Sequence, residues 1–289
     1  MSILLPSAAT GSKTRINDAT NLRSWGRFCQ ERALPALPTT PAALRAYLSD
    51  MPPHVTAATL RHVVASVRRW HLDAGLADPA DENFAQDLYH AQKRCRVPEL
   101  RACRSHDLAK LVDSISETPG GLRDIVIILL TYTGRMSSSA FTLLNRSDVH
   151  IGPSGMRLTV FQRRRSTVLT FRRYQDARYC VVAAMERYLR VLNDDHPALV
   201  RVCSPGHISR RRLSLRRAMN AIRYRVKRSG LPINAATALR AGMVVTATNR
   251  GADDYAIMRQ HGYAHTRTVR KLQARLGLNH IDVVDRLGM

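Results

Sequence analysis

Between Thr237 and Leu272 the chain reads TALRAGMVVTATNRGADDYAIMRQHGYAHTRTVRKL. Arg240 follows Leu239, and a helical apolar run with Met243, Val244 and Val245 comes next. A Gly-Tyr turn, Gly262-Tyr263, has His261 and His265 on either side. An arginine grips phosphate through two parallel N–H donors, so the chemistry that Arg240 suits is holding a phosphoryl oxygen. Nine residues beyond Tyr263 stands Leu272, and no tyrosine follows Tyr263 anywhere in the sequence. The stretch therefore offers a phosphate-holding arginine, with histidines and a tyrosine further along it.

The charge of the whole chain points to the same ligand. Forty-five Lys and Arg against 22 Asp and Glu give a formal charge of +23 over 289 residues, an imbalance that suits a polyanion-binding protein rather than a small-molecule enzyme. The charge is clustered: Arg157 to Arg228 holds nineteen basic residues against four acids, Asp176, Glu186, Asp194 and Asp195. Nucleic acid is the expected partner. Five cysteines, Cys29, Cys95, Cys103, Cys180 and Cys203, show neither CxxC nor Cys/His metal spacing, so neither a disulfide framework nor a metal site is expected. No cofactor is implied. The N-terminus lacks the order of a signal peptide, and no apolar run is long enough to span a bilayer; a soluble, cytoplasmic, nucleoid-associated protein without a membrane partner is expected.

The elements that must position these residues are mostly helical, and the apolar content of 45% is ample for two cores. Residues 1–15 are polar and expected to be disordered. Residues 16–95 read as a helical domain. Leu22, Trp25, Phe28 and Cys29 share one face of a helix over Asn21 to Arg32. Thr40 and Pro41 open a second helix. A third, Thr56 to Ala74, has Leu60, Val63, Val64, Val67 and His71 inward and Arg61, Arg68 and Arg69 outside, and a fourth covers Asp81 to Lys93. Residues 96–104, with Pro98 and several arginines, read as a basic linker that could lie on a phosphate backbone.

A second domain, 105–289, starts with Ser105 as N-cap and contains the buried run Ile125 to Leu130. Strand-like alternation occurs only between Val149 and Phe171, around a basic tip at Arg163, Arg164 and Arg165. The rest is expected to be helical, with Asp176 capping a helix that carries Met185 and Tyr188, and Ser214 to Arg228 forming a helix with arginines outside. The fold class is mainly α with a small antiparallel β-sheet: a helical domain followed by an α+β domain.

This order resembles the tyrosine recombinases of the phage integrase, Xer and Cre type over residues 17–289. The likeness rests on RSWGRFCQERALPALPTTPAALRAYL, TLRHVVASVRRWHLDAGLADP, RDIVIILLTYTG with LLNRSDV, and the stretch from Thr237 to Leu272. It implies a helical core-binding, SAM-like domain before a catalytic-like domain. The family's chemistry is phosphoryl transfer: a tyrosine hydroxyl attacks a DNA phosphate, two arginines neutralise the non-bridging oxygens, a hairpin lysine acts as general acid and histidines assist.

Carried over by position, the resemblance implies a degenerate site. The first arginine's place, eleven residues before Asp148, is Ser137, and its glutamate neighbour is Ala140. Arg135 is two residues away, about 200° around a helix. The hairpin lysine corresponds to Arg165 or a neighbour, and arginine is a poor acid because its pKa exceeds about 12. The histidine place is Thr237, while the second arginine, Arg240, is kept. The later histidine or tryptophan place is Tyr263, with His261 and His265 expected to face away. The nucleophile's place is Leu272.

The resemblance thus implies a duplex-DNA-binding protein that cannot cut, an inactive tyrosine-recombinase homologue serving as accessory subunit or regulator of recombination, transcription or replication of a bacterial mobile genetic element. Expected DNA contacts are Arg61, Arg68, Arg69, Arg94, Arg96, Arg163, Arg164, Arg165, Arg240 and Lys271, with the Arg210 to Arg228 series beside them. The alternative is an active recombinase with rearranged residues, using Arg135 and a tyrosine such as Tyr255 or Tyr263. A terminal amphipathic segment, 279–289, with Ile281, Val284 and Leu287, would support a homo-oligomer on DNA, and an active recombinase is a possible partner.

Overall fold

The computed structural model describes residues 12–50, 55–95, 100–134, 136, 138–162, 165–233 and 235–278. The chain divides into two compact units, residues 1–99 and 100–289; the division falls inside the basic segment 96–104.

The first unit contains α1 (Ser12–Glu31), α2 (Pro41–Ser49), α3 (Ala57–Asp73) and α4 (Phe84–Arg94). Helix α1 begins at Ser12, so the stretch expected to be disordered already carries helix there. Trp25, Leu44, Leu60, Val67 and Phe84 form the centre of its core. Thr40 caps α2 by accepting from the Ala43 N–H at 3.2 Å, and Pro41 takes the first turn, where no N–H is needed. His71 is buried, with Nε2 accepting from the Thr39 N–H at 2.8 Å and Nδ1 donating to the Val67 carbonyl at 2.9 Å, so both ring nitrogens are used structurally.

The second unit contains α5 (Ser105–Asp113), α6 (Pro119–Thr133), α7 (Ser138–Leu143), β1 (Val149–Gly152), β2 (Gly155–Gln162), β3 (Arg165–Arg172), α8 (Val181–Val191), β4 (Arg201–Ser204), β5 (His207–Arg212), α9 (Leu215–Arg228), α10 (Ala235–Asn249), α11 (Asp254–His261) and α12 (Thr266–Arg275). The strands β1-β2-β3 form one antiparallel sheet and β4-β5 a separate two-stranded one. Helix α6 is buried nearly all round and is the spine of the core.

Three expectations are corrected here. Strands β4 and β5 lie in a region expected to be helical. Arg201 on β4 is buried, Arg212 on β5 donates to the Thr142 and Leu144 carbonyls, and a Pro205-Gly206 turn joins the strands; arginines that face the protein hide the strand period. Helix α8 is capped at Cys180, while Asp176 accepts from the Arg178 N–H in the turn before it. The N-cap of α5 is Arg104, whose N–H donates to Asp107 at 2.9 Å, and Ser105 is already helical.

The last residues of the basic segment are also fixed. Cys103 is buried, and its N–H donates to the Ala238 carbonyl at 2.9 Å. Its own carbonyl passes so close to α10 that a Cβ on Gly242 would lie 1.6 Å from it. Gly242→Ala should therefore force the two segments apart at about 1–3 kcal/mol, the usual cost of overpacking. A fall in the urea midpoint measures it; an unchanged midpoint would show that the crossing is not tight.

Candidate nucleic-acid interface

Helices α10, α11 and α12 bring Arg240, His261, Tyr263 and Leu272 to one region. The helix α11 ends at His261, and Gly262 follows in the left-handed conformation at φ 66°, which ends the helix and reverses the chain. The reversal lays the Tyr263 ring parallel to the His261 imidazole, with centroids 5.1 Å apart and planes inclined by 2°. Contrary to expectation, His261 does not face away. It is 8% exposed, and its Nε2 lies 3.2 Å from the Met243 sulfur on α10.

The end of α6 makes room for this ring. Gly134 is left-handed at φ 73°, and a Cβ there would lie 2.4 Å from the His261 Nδ1. Gln260 adds a tie between the helices by donating to the Thr133 carbonyl at 3.0 Å. Burial, helped by the Arg240 charge, pulls the His261 pKa down to about 4, so the imidazole is neutral at physiological pH. Burial raises the Tyr263 phenol while Arg240 opposes the rise. The half-buried Arg240 guanidinium can hold a phosphate and the protonated Tyr263 phenol can donate a hydrogen bond to it, while the neutral imidazole packs behind them.

Leu272 packs with Tyr263, Ala247 and Met258 around the buried Val244, Ile257 and Val269. Helix α12 is fastened there by Gln273, which donates to Thr248 at 3.1 Å and to Asp254 at 3.0 Å, and by Arg270, bonded to Asp254 at 2.8 Å. Thr237 and Lys271 are exposed. Tyr255 is 59% exposed on α11, with the Arg259 guanidinium 5.9 Å from its ring centroid. Arg135, Ser137, Arg96, Arg163 and Arg164 and the segment 279–289 lie outside the described residues, as does the side chain of Arg165.

The arginines read as DNA contacts separate into two groups. Arg68 bonds Asp78 at 2.5–2.9 Å and Arg69 bonds Asp18 at 2.6 Å, so both direct donors into their own domain. Arg61 and Arg94 are exposed. On α9, Arg225 turns inward to Asp124, while Arg216, Arg217, Arg223, Lys227 and Arg228 remain exposed along a helix that contains no acid. Among the described residues no cluster of His, Cys, Asp and Glu could hold a metal, and no helix is long and apolar enough to cross a membrane.

No protein-family model matches this sequence, and no curated protein is similar to it in sequence. Solved structures do match. A lambda integrase dimer bound to a COC' core site has a TM-score of 0.65 at 14% identity, over 94% of this chain and 92% of that one. The chain has the tyrosine-recombinase fold. The Tn1549 transposon integrase, in complex with transposon right-end DNA, shares that fold at a TM-score of 0.66 and 13% identity, over 92% of this chain and 90% of the other. The XerH site-specific recombinase bound to palindromic difH substrate gives 0.65 at 14% identity, over 91% and 77%. Within this fold Arg240 has His261 close by, and α12 presents Leu272 to its apolar neighbours.

Proposed function

We propose that this protein binds duplex DNA through a tyrosine-recombinase scaffold and does not cut it, acting as an accessory subunit or regulator of recombination, transcription or replication of a bacterial mobile element. The observation that carries the reading is Leu272, an aliphatic side chain packed among Val244, Ile257 and Val269 where the resemblance calls for a nucleophile. A hydrocarbon cannot attack phosphorus, and no tyrosine follows in the chain. The exposed basic row of α9, the charge of +23 and similar folds solved on DNA support duplex binding. Arg61, Arg94, Arg96, Arg163 to Arg165, Arg240 and Lys271 would add phosphate contacts, with Arg68 and Arg69 contributing only donors left over from their carboxylates. Assembly on DNA through 279–289, alone or beside an active recombinase in the nucleoid, completes the proposal.

The test starts with selection of a binding site from a random duplex pool. A nicked suicide substrate of the selected site should then yield no protein–DNA band that survives SDS. Such a band, mapped to Tyr255 or Tyr263, would establish the active recombinase instead. At the same site Arg240→Ala should weaken binding severalfold and reduce the slope of log K against log salt by about one phosphate contact. Unchanged affinity and slope would make Arg240 a structural relic.

A further inference from the structure

The sheet β1-β2-β3 has a buried face and a wet one. Met156, Leu158 and Val160 on β2, with Leu169 and Phe171 on β3, point into the core, so the alternate residues stand outside. At one end of the outer face the register sets Arg157 between His150 and Thr170, and Gly155 between Gly152 and Arg172. At the other end Phe161 and Val168 are diagonal neighbours, 64% and 60% exposed. Among the described residues of this face no carboxylate occurs.

The basic end is held in shape from behind. Arg173 donates to the Pro153 carbonyl at 3.1 Å and to Glu186 at 3.0 Å, bracing the turn between β1 and β2. A Cβ at Gly155 would lie 2.1 Å from the Phe171 carbonyl, whereas one at Gly152 would meet nothing, so the turn packs tightly at one glycine and stays open at the other.

We propose that this face is a second nucleic-acid surface that takes a single strand, with one base stacked on Phe161 and neighbouring phosphates on Arg157, Arg172 and His150. Four residues of strand separate Phe161 from Arg157, roughly 13 Å, a reach that an extended strand covers in a few nucleotides. A duplex offers phosphates but keeps its base faces stacked inside, so only an unpaired strand can use an exposed ring together with the cations. The surface shares no residue with the Arg240 pocket or with α9, and the inference goes beyond duplex binding.

The probes are a fluorescein-labelled twelve-nucleotide oligothymidine and a random-sequence duplex, titrated against the full chain at fixed salt. Phe161→Leu should weaken oligothymidine binding about fivefold or more, with Phe161→Tyr restoring it, and Arg157→Ala/Arg172→Ala should weaken it about tenfold. Duplex affinity should stay within about twofold in every variant. Phe161, Arg157 and Arg172 are all exposed on the β2-β3 strand pair, and an unchanged melting temperature confirms an intact fold. Equal losses on both probes, no loss on either, or wild-type protein that does not bind oligothymidine overturns the proposal. Crosslinking of an iodouracil oligonucleotide to peptides of β2 or β3 would locate the strand directly, and crosslinks confined to other elements would equally overturn it.

Discussion

Asp124→Ala should destabilise the protein by about 3–5 kcal/mol, the cost of removing one partner from a buried ionic cluster. Asp124 on α6 is 3% exposed. Its Oδ1 accepts from Arg123 at 2.6 and 2.9 Å, and its Oδ2 accepts from Arg225 on α9 at 2.8 Å. Arg123 also donates to the Arg201 carbonyl on β4 at 3.0 Å. Without the carboxylate, a buried guanidinium loses its charge partner in a medium where replacement by water is costly. Asp124→Asn keeps an acceptor oxygen and the side-chain shape, so it should lose less. Urea denaturation of the three proteins measures the difference; a loss under about 1 kcal/mol for alanine would mean that water reaches the cluster.

The same cluster bears on the proposed duplex binding, because Arg225 ties α9 to the spine of the core. The tie sets the rotation of the helix, which aims Arg216, Arg217, Arg223, Lys227 and Arg228 at solvent as one row. Under conditions where Asp124→Ala is still folded, duplex affinity should fall although no phosphate contact has been removed.

Arg225 also shows where sequence reading stops. Helices were legible because their signals are local: Thr40 before Pro41, Ser214 before α9, and apolar residues at helical spacing around Leu60 or Ile222. Of the three-stranded sheet, the β2-β3 hairpin was legible from the alternation around its basic tip, whereas most of β1 falls where His150 to Gly155 read as a turn. What escaped depends on arginines that face inward. Arg201 is fully buried against Asp194 at 2.7 Å and holds that carboxyl below the usual range, and its strand pairs with one whose Arg212 is spent on carbonyls. Periodicity assigns every arginine to water, so a hairpin in which Arg201 is buried and Arg212 bonds to carbonyls has no visible inner face. In the candidate site Arg240 and Leu272 were singled out through the resemblance, but the inward turn of His261 was not foreseen. Its inward turn depends on Gly134, more than a hundred residues earlier, leaving space for the ring.

That burial gives His261 the second large effect, a loss of stability in mild acid. Its folded pKa of about 4 lies below the ordinary value near 6.5, so as pH falls the unfolded chain takes up the proton first. Stability from this residue is complete above about pH 6.5, declines through the window down to pH 4 and is constant below it. The decline should total about 3 kcal/mol, on the linkage of about 1.4 kcal/mol per unit. Among the described residues the groups facing the ring are Arg240 and Met243 on α10, Tyr263, and the end of α6 at Gly134, none of them a carboxylate that could stabilise the imidazolium. Urea midpoints of wild type and His261→Gln, measured from pH 7.5 down to 4.5, separate this contribution from that of the carboxylates. The wild type should lose more stability than the variant across that range, by about 2–3 kcal/mol. Parallel curves would mean that the imidazole takes up its proton as readily in the folded protein as in the unfolded chain.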